Sequence, residues 1–154
     1  MTRYDVTITR LPLRALFEMR GALPGDAGLP PPPAPLRLTQ AGDRVLAMTG
    51  PARWLLMAPL AQEETLERAL PEAVALSDTL TFFAITGLGA GQIMAVASPL
   101  DLHASAFPED GCAFTEAFGI RALVRRLPGG FEIGVDASHA DWFAAMLDRV
   151  AGCA

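Results

Sequence analysis

What most constrains this chain is a series of strand-like runs joined in pairs by very short turns. Arg44 to Thr49 and Arg53 to Ala58 flank Gly50-Pro51, and Ile120 to Leu127 and Phe131 to Val135 flank Pro128-Gly129-Gly130. Gly and Pro supply the backbone angles of a tight reversal, and so short a turn returns the chain beside itself, which predicts two antiparallel hairpins. In the first pair Trp54 and Leu56 share one face while Leu55 and Met57 take the other. Apolar residues on both faces predict a strand covered on both sides. Further strand runs are Asp5 to Ile8, Leu13 to Arg20, Ala73 to Leu76, Leu80 to Thr86 and Cys112 to Phe118.

Single helices separate these pairs. Ala61 to Leu70 carries an apolar face of Leu66, Ala69 and Leu70, places Glu64 one turn before Arg68, and is stopped by Pro71. Leu88 to Ala97 is a short helix of small residues ended by Pro99. The last helix opens at Ser138 with Asp141 in the place of a capping-box Glu. Its apolar stripe is Trp142, Phe143, Met146, Leu147 and Val150, and Gly152 lies just past its end. Between the second and third strand runs, Ala22 to Leu29 reads as one loose helical turn. The tract Pro30-Pro31-Pro32-Pro33-Ala34-Pro35 follows as a rigid surface connection, a polyproline II rod of about 18 Å at ~3.1 Å per residue. Strand pairs separated by single helices predict an α+β fold, mostly antiparallel, with ferredoxin-like βαβ elements.

Composition narrows the function classes. A chain of 154 residues suits a single domain spanning 1–154. No apolar run approaches the ~20 residues of a membrane span, and no basic stretch followed by an apolar core opens the chain, which predicts cytoplasmic residence with no membrane partner. All 12 basic residues other than His are Arg, the net charge is -5, and only Arg125-Arg126 are adjacent. Nothing here forms the basic stripe that a phosphate backbone requires, so nucleic acid is excluded as a partner. Cys112 and Cys153 form no Cys-x-x-Cys pair, and with two His they make no zinc-ligand spacing. Cys112 reads as a small half-buried strand residue and Cys153 as a frayed terminal thiol.

Three groupings carry chemistry in other settings. Gly87-Leu88-Gly89-Ala90-Gly91 lies at a strand-to-helix junction, but Gln92 stands where a dinucleotide fingerprint needs its last Gly. A structural turn is the expectation there. Asp101 and His103 sit two apart, so an extended chain would turn both to one face, with Cys112 downstream as a candidate nucleophile. The flanking Leu100, Leu102 and Phe107 instead predict a packed turn in which Asp101 caps backbone N–H groups. Asp78 and Glu132 are the other carboxylates beside apolar strands.

Pro99-Leu100-Asp101-Leu102-His103, then Phe107-Pro108, then Cys112-x-x-Thr115, resembles the late segment of the gamma subunit of heterotetrameric sarcosine oxidase. That family lies within the folate-binding aminomethyltransferase-like group. Gly50-Pro51-Ala52-Arg53-Trp54-Leu55-Leu56-Met57 is similar to the family's Gly-Pro-x-x-Trp-Leu-Leu block. The passage from Val74 through Ser77-Asp78 to Ile85-Thr86-Gly87, the Phe131-Glu132-Ile133 strand and the helix around Trp142 also have counterparts, in family order. Ala52-Arg53 replaces the usual Asp-Glu, and Ser98 replaces a frequent Cys, which marks a divergent member. Gly111-Cys112-Ala113-Phe114-Thr115-Glu116 faintly resembles a signature of folate-binding iron–sulfur-maintenance proteins. However, Asp110, Glu116 and Ala117 stand where that signature has Lys, Gln and Glu.

The resemblance implies a non-catalytic subunit that assembles with flavin-bearing alpha and beta chains and a small delta chain. Such a complex oxidises sarcosine to glycine, with tetrahydrofolate accepting the one-carbon unit and oxygen becoming hydrogen peroxide. FAD, FMN, NAD and tetrahydrofolate would reside on other chains, and no catalytic, cofactor-binding or metal residue is assigned to this one. An isolated chain could cover its partner surface by pairing with a second copy. The alternative is a stand-alone folate-binding or one-carbon-transfer protein of the same fold.

Overall fold

The computed structural model describes residues 4–152. Two compact units form, one from Leu13–Thr79 and the other from the chain up to Pro12 together with Leu80 onward. Each has its own five-stranded sheet, and every paired neighbour within both sheets is antiparallel. The α+β class is as expected from the sequence.

The Leu13–Thr79 unit contains β2 (Arg14–Arg20), β3 (Leu38–Ala41), β4 (Arg44–Gly50), β5 (Arg53–Pro59), α1 (Glu63–Ala69) and β6 (Val74–Ala75), in the sheet order β3-β4-β5-β2-β6. Because β2 runs antiparallel to both β5 and β6, those two are parallel, and α1 joins them as a split βαβ element. The core sits on the face where Phe17, Leu56 and Leu46 align across three strands, covered by Leu66 and Leu70. Trp54 packs at its margin and donates its indole N–H to the Gly21 carbonyl at 2.9 Å.

Local details refine the expectations. The β4–β5 turn is centred on Pro51-Ala52, with Ala52 at φ +49, rather than on Gly50-Pro51. The short polar strand β3, which no sequence expectation covers, pairs with β4 around Gly42-Asp43, and Gly42 takes the left-handed φ of +59. Residues 22–29 form turns and bends, not a helical turn. Within the proline tract Pro30 and Pro33 are buried while 31, 32, 34 and 35 are exposed, the three-residue period of polyproline II. Helix α1 is preceded by a 3-10 turn, its Glu64 and Arg68 pair as expected, and Ala69 is exposed.

The other unit contains β1 (Thr7–Arg10), β7 (Leu80–Thr86), α2 (Ala90–Ala97), β8 (Cys112–Ala117), β9 (Ile120–Leu127), β10 (Gly130–Asp136) and α3 (Ala140–Ala151). Sheet order is β1-β7-β10-β9-β8. Three antiparallel steps separate β7 from β8, so the α2 connection here joins antiparallel strands. Alternation along the strands sends Phe83, Ile85, Val124, Ile133 and Val135 to one face, where Ile93 and Met94 of α2 and Phe143 and Leu147 of α3 cover them. Phe143 meets Phe83 and Phe118 at centroid distances of 5.7 and 5.5 Å, in tilted geometry.

Strand β1 lies two residues later than the Asp5 to Ile8 reading, because Thr7–Arg10 pairs with Phe83–Thr86 while Tyr4–Val6 crosses a glycine turn. The cap of the last helical stretch is Asp136, whose carboxylate accepts from the Ser138 N–H ahead of a 3-10 turn. The Ser138 hydroxyl and then its N–H hold the Asp136 carboxyl below its usual range. Asp141 instead pairs with Arg10 at 2.8 Å. Trp142 is 46% exposed and lies off the buried stripe of Ala140, Phe143, Leu147 and Ala151. Gly152 ends α3 at φ +76, as its position predicts. Cys153 lies outside the described residues.

Two glycines of this unit have opposite roles. A side chain at Gly130 would run into the Ile85 carbonyl, whereas one at Gly91, in helical backbone, would meet nothing within 4 Å. Gly91→Ala is expected to raise stability by about 0.5–1 kcal/mol and Gly130→Ala to lower it by about 2 kcal/mol. Urea unfolding of the two variants checks both signs.

Candidate functional site

At the ends of β7 and β10 the chain leaves a cleft of about 730 Å³, within the size range of ligand pockets. One wall is the Gly87–Gly91 turn into α2; the other is the β9–β10 hairpin, and Leu102 and Glu109 reach it from the connection between α2 and β8. The hairpin turns on Pro128-Gly129, with Gly129 at φ +73, and delivers Gly130 into the sheet.

The Gly87–Gly91 turn is built around Tyr4–Val6, the segment that leads into β1. Gly87 sits at φ +114, and a Cβ there would stand 2.6 Å from the Asp5 carbonyl oxygen. A Cβ on Gly89 would stand 2.9 Å from Tyr4. The Gly89 N–H donates to Asp5 O at 3.0 Å and the Ala90 N–H to Gly87 O at 3.1 Å. These glycines therefore admit backbone rather than a phosphate, and two amides at the start of α2 are already taken. The structural-turn expectation holds.

Asp101, His103 and Cys112 do not assemble into a catalytic group. The Asp101 carboxylate accepts the His103 backbone N–H at 2.9 Å, the capping role expected of it, while the His103 ring faces the Ser105 hydroxyl at 2.8 Å. Both side chains are exposed, whereas Cys112 is fully buried. Burial pushes the Cys112 thiol up to about 12; Arg125 nearby lowers it and Glu132 raises it, both less than burial. A thiol so disposed stays protonated and is no nucleophile.

The connection itself is packed, as its apolar residues predict. Phe107 is buried and Leu100 and Leu102 lean on the core. Arg126 fastens it: its Nε donates to the Phe107 carbonyl and its Nη2 to the Leu102 carbonyl, while the guanidinium lies 5.0 Å from the centroid of the Phe131 ring. The adjacent Arg125 points to the opposite face, where Nε and Nη2 reach Glu132 Oε1 and Oε2 at 2.8 and 3.0 Å. The Arg125-Arg126 doublet was visible in the sequence, and strand alternation is the signal that separates its two jobs. Glu132 is thus a buried partner in an ion pair. Asp78 lies in the turn before β7, outside the residues lining the cleft. Among the described residues no group of three or more His, Cys, Asp or Glu is placed to hold a metal ion, and no helix is long and apolar enough to cross a membrane.

Comparison with known proteins places the fold. No family model and no curated protein matches the chain. Among solved structures it is similar to the glycine cleavage system aminomethyltransferase T from Bartonella henselae, with a TM-score of 0.66 and 18% identity over 96% of this chain and 46% of that one. The fold is therefore an α+β one resembling aminomethyltransferase-like structures. The chain is also similar to a chain of heterotetrameric sarcosine oxidase from Corynebacterium sp. U-96, whose structure was solved with pyrrole 2-carboxylate. There the TM-score is 0.81 and the identity 22%, over 97% of this chain and 86% of that one.

Two measurements test the site. The folded Cys112 thiol keeps its proton up to about pH 12, whereas an unfolded thiol releases it near 9.0. Raising the pH between those values therefore favours the unfolded state, by about 1.4 kcal/mol per pH unit. Urea titrations across that window are expected to show falling stability, and Cys112→Ala to lack that part of the slope. Separately, Arg126→Met removes two charge-assisted bonds to carbonyls and is expected to cost about 2 kcal/mol. The same change should speed amide hydrogen exchange between Pro99 and Gly111, leaving β7 unaffected.

Proposed function

We propose that this chain is the gamma-type, non-catalytic subunit of a heterotetrameric sarcosine oxidase-like complex. The observation that carries this reading is the near end-to-end match with a chain of that oxidase, 97% of this chain against 86% of the other. Two chains that match over most of both lengths are close in size, which favours a small subunit over a domain within a large flavin-bearing chain. The ordered series of family-like segments from Gly50-Pro51 to Trp142 supports the same reading. So do the structural roles found for Asp101, Glu132 and Cys112. On this reading the partners are alpha, beta and delta-type chains in the cytoplasm, FAD, FMN, NAD and tetrahydrofolate are held elsewhere in the assembly, and this chain stabilises it.

A second reading, a stand-alone folate-binding or one-carbon-transfer protein, draws on the likeness to the aminomethyltransferase. Co-expression with alpha, beta and delta-type chains of such an oxidase separates the two. The subunit reading expects a single complex on size exclusion that carries flavin absorbance and oxidises sarcosine. A chain that elutes alone, and binds tetrahydrofolate saturably at micromolar concentration in calorimetry, would favour the second reading and sink the first.

A further inference from the structure

Residues 21–37 connect β2 to β3, and the sheet does not call for so long a path. Arg20, Arg53, Met48 and Leu38 lie at one end of the sheet, where β2 and β3 are three strand spacings apart, about 14 Å at ~4.8 Å per spacing. Connections of this length inside a compact unit usually carry a function of their own.

The path is filled by the Pro30–Pro35 rod, which is fastened at both ends. Ahead of it Leu29 packs on the core of the unit, and the Arg44 guanidinium donates to the Ala27 and Gly28 carbonyls at 3.2 and 3.0 Å. The Thr39 hydroxyl donates to the Pro31 carbonyl. A turn in which the Arg37 N–H donates to the Ala34 carbonyl at 3.1 Å, with Leu36 at φ +58, ends the rod after Pro35. A helix with three residues per turn has three faces. Pro30 and Pro33 form the buried one; Pro31 with Ala34, and Pro32 with Pro35, form two that are exposed. The outward surface is therefore a pair of X-Pro dipeptides, Pro31-Pro32 and Ala34-Pro35, with Leu36 52% exposed at their end.

The chemistry of that surface selects its occupant. Proline has no N–H, so the rod cannot add itself to a sheet edge as a strand. It carries no charge to meet a phosphate and no ligand atom for a transition metal. It offers apolar rings at a fixed spacing, together with backbone carbonyls that accept hydrogen bonds. The complement is a groove of aromatic side chains, whose faces clasp X-Pro dipeptides and whose indole or phenol groups donate to carbonyls. Because the prolines set φ in advance and the ends are fastened, docking orders little of this chain.

We propose that the 31–36 ridge is a docking site for a polyproline-binding domain of another protein, whose aromatic-lined groove takes Pro31-Pro32 and Ala34-Pro35 in adjacent pockets. This does not depend on the reading of the chain as an oxidase subunit.

The test titrates the full chain into two isotope-labelled domains with such grooves, an SH3 domain that reads Pro-x-x-Pro and a WW domain. At least one is expected to show saturable shifts of its groove aromatic resonances. The double variant Pro32→Ser, Pro35→Ser changes only exposed positions. It is expected to melt within a few degrees of the natural chain and to bind at least about tenfold more weakly, whereas Asp26→Ser, exposed but off the rod, keeps full affinity. Cross-saturation needs no variant: irradiating the bound domain's aromatic protons should attenuate Ala34 and Leu36 of the natural chain. Binding by neither domain, equal binding by the double variant, or attenuation elsewhere on the chain overturns the proposal. So does binding of a free 29–37 peptide without binding of the folded chain, since the fold would then hide the ridges. A dimer of the chain dissolved by the double variant would make a second copy the occupant and overturn it as well.

Discussion

The seven-residue pairing of β7 with β10 is the contact from which the second unit is built. It runs from Gly130 opposite Thr86 to Asp136 opposite Leu80, and it places Phe83, Ile85, Ile133 and Val135 on the face that α2 and α3 cover. Both strands also set the cleft. Strand β7 runs into the Gly87 turn that starts α2, and β10 starts at Gly130, which must lack a side chain because it lies against the Ile85 carbonyl. The Gly87 N–H closes the arrangement by donating to Gly129 O at 3.0 Å. A cleft between two turns that are bonded to each other keeps its shape without a ligand. Such preorganisation lowers the ordering cost when something binds.

The charged groups inside this unit hold it together and leave little for chemistry. Arg125 and Glu132 face each other across β9 and β10 in bidentate geometry, with Glu132 only 2% exposed. Removing one member of such a buried pair costs several kcal/mol because the other charge is stranded, although the pair as a whole need not exceed an apolar pair in stability. Cys112 sits opposite Arg125 in the β8–β9 ladder, and its burial outweighs the pull of that cation. A nucleophile needs the reverse balance, a thiolate held open to substrate by a dominant positive charge. Sequence proximity of Asp101, His103 and Cys112 suggested a general base and nucleophile, yet the turn spends the carboxylate on its own backbone.

Much of this was legible residue by residue where local physics decides. The Pro128-Gly129 hairpin, the stop of α1 before Pro71 and the left-handed Gly152 follow from backbone preferences that tertiary structure had no reason to override. The apolar residues of the connection after α2 announced that it packs, and it does. Strand β3 was missed because Leu38, Thr39, Gln40 and Ala41 show no strong apolar alternation, although the Gly42-Asp43 dipeptide was a usable hairpin signal. Trp142 and Ala69 were placed in buried stripes by residue type and are exposed, since a helical stripe tells which side chains align and not how wide the covered arc is. Asp136 won the cap from Ser138 because a 3-10 turn moved the helix start. The cleft itself was illegible: it depends on Arg126 folding back to hold Leu102 and Phe107, contacts 24 and 19 residues away in sequence.

The departures from the gamma-subunit pattern acquire physical content from these positions. Ala52 occupies the left-handed corner of the β4–β5 turn at φ +49, a conformation that a non-glycine residue adopts at a cost. Its carbonyl accepts the Gly21 N–H at 2.9 Å, which fixes the corner, and Arg53 beside it is exposed. Exchanging an acidic pair for alanine and arginine there changes surface charge without touching the core, so the fold tolerates it and an interface would register it. The cleft combines the same two properties, a rigid frame and a surface chemistry that the frame does not dictate. At 22% identity and a TM-score of 0.81 the two chains share the frame. Leu88 and Gly91 lie outside that frame, because the packing of the unit leaves both positions free to vary.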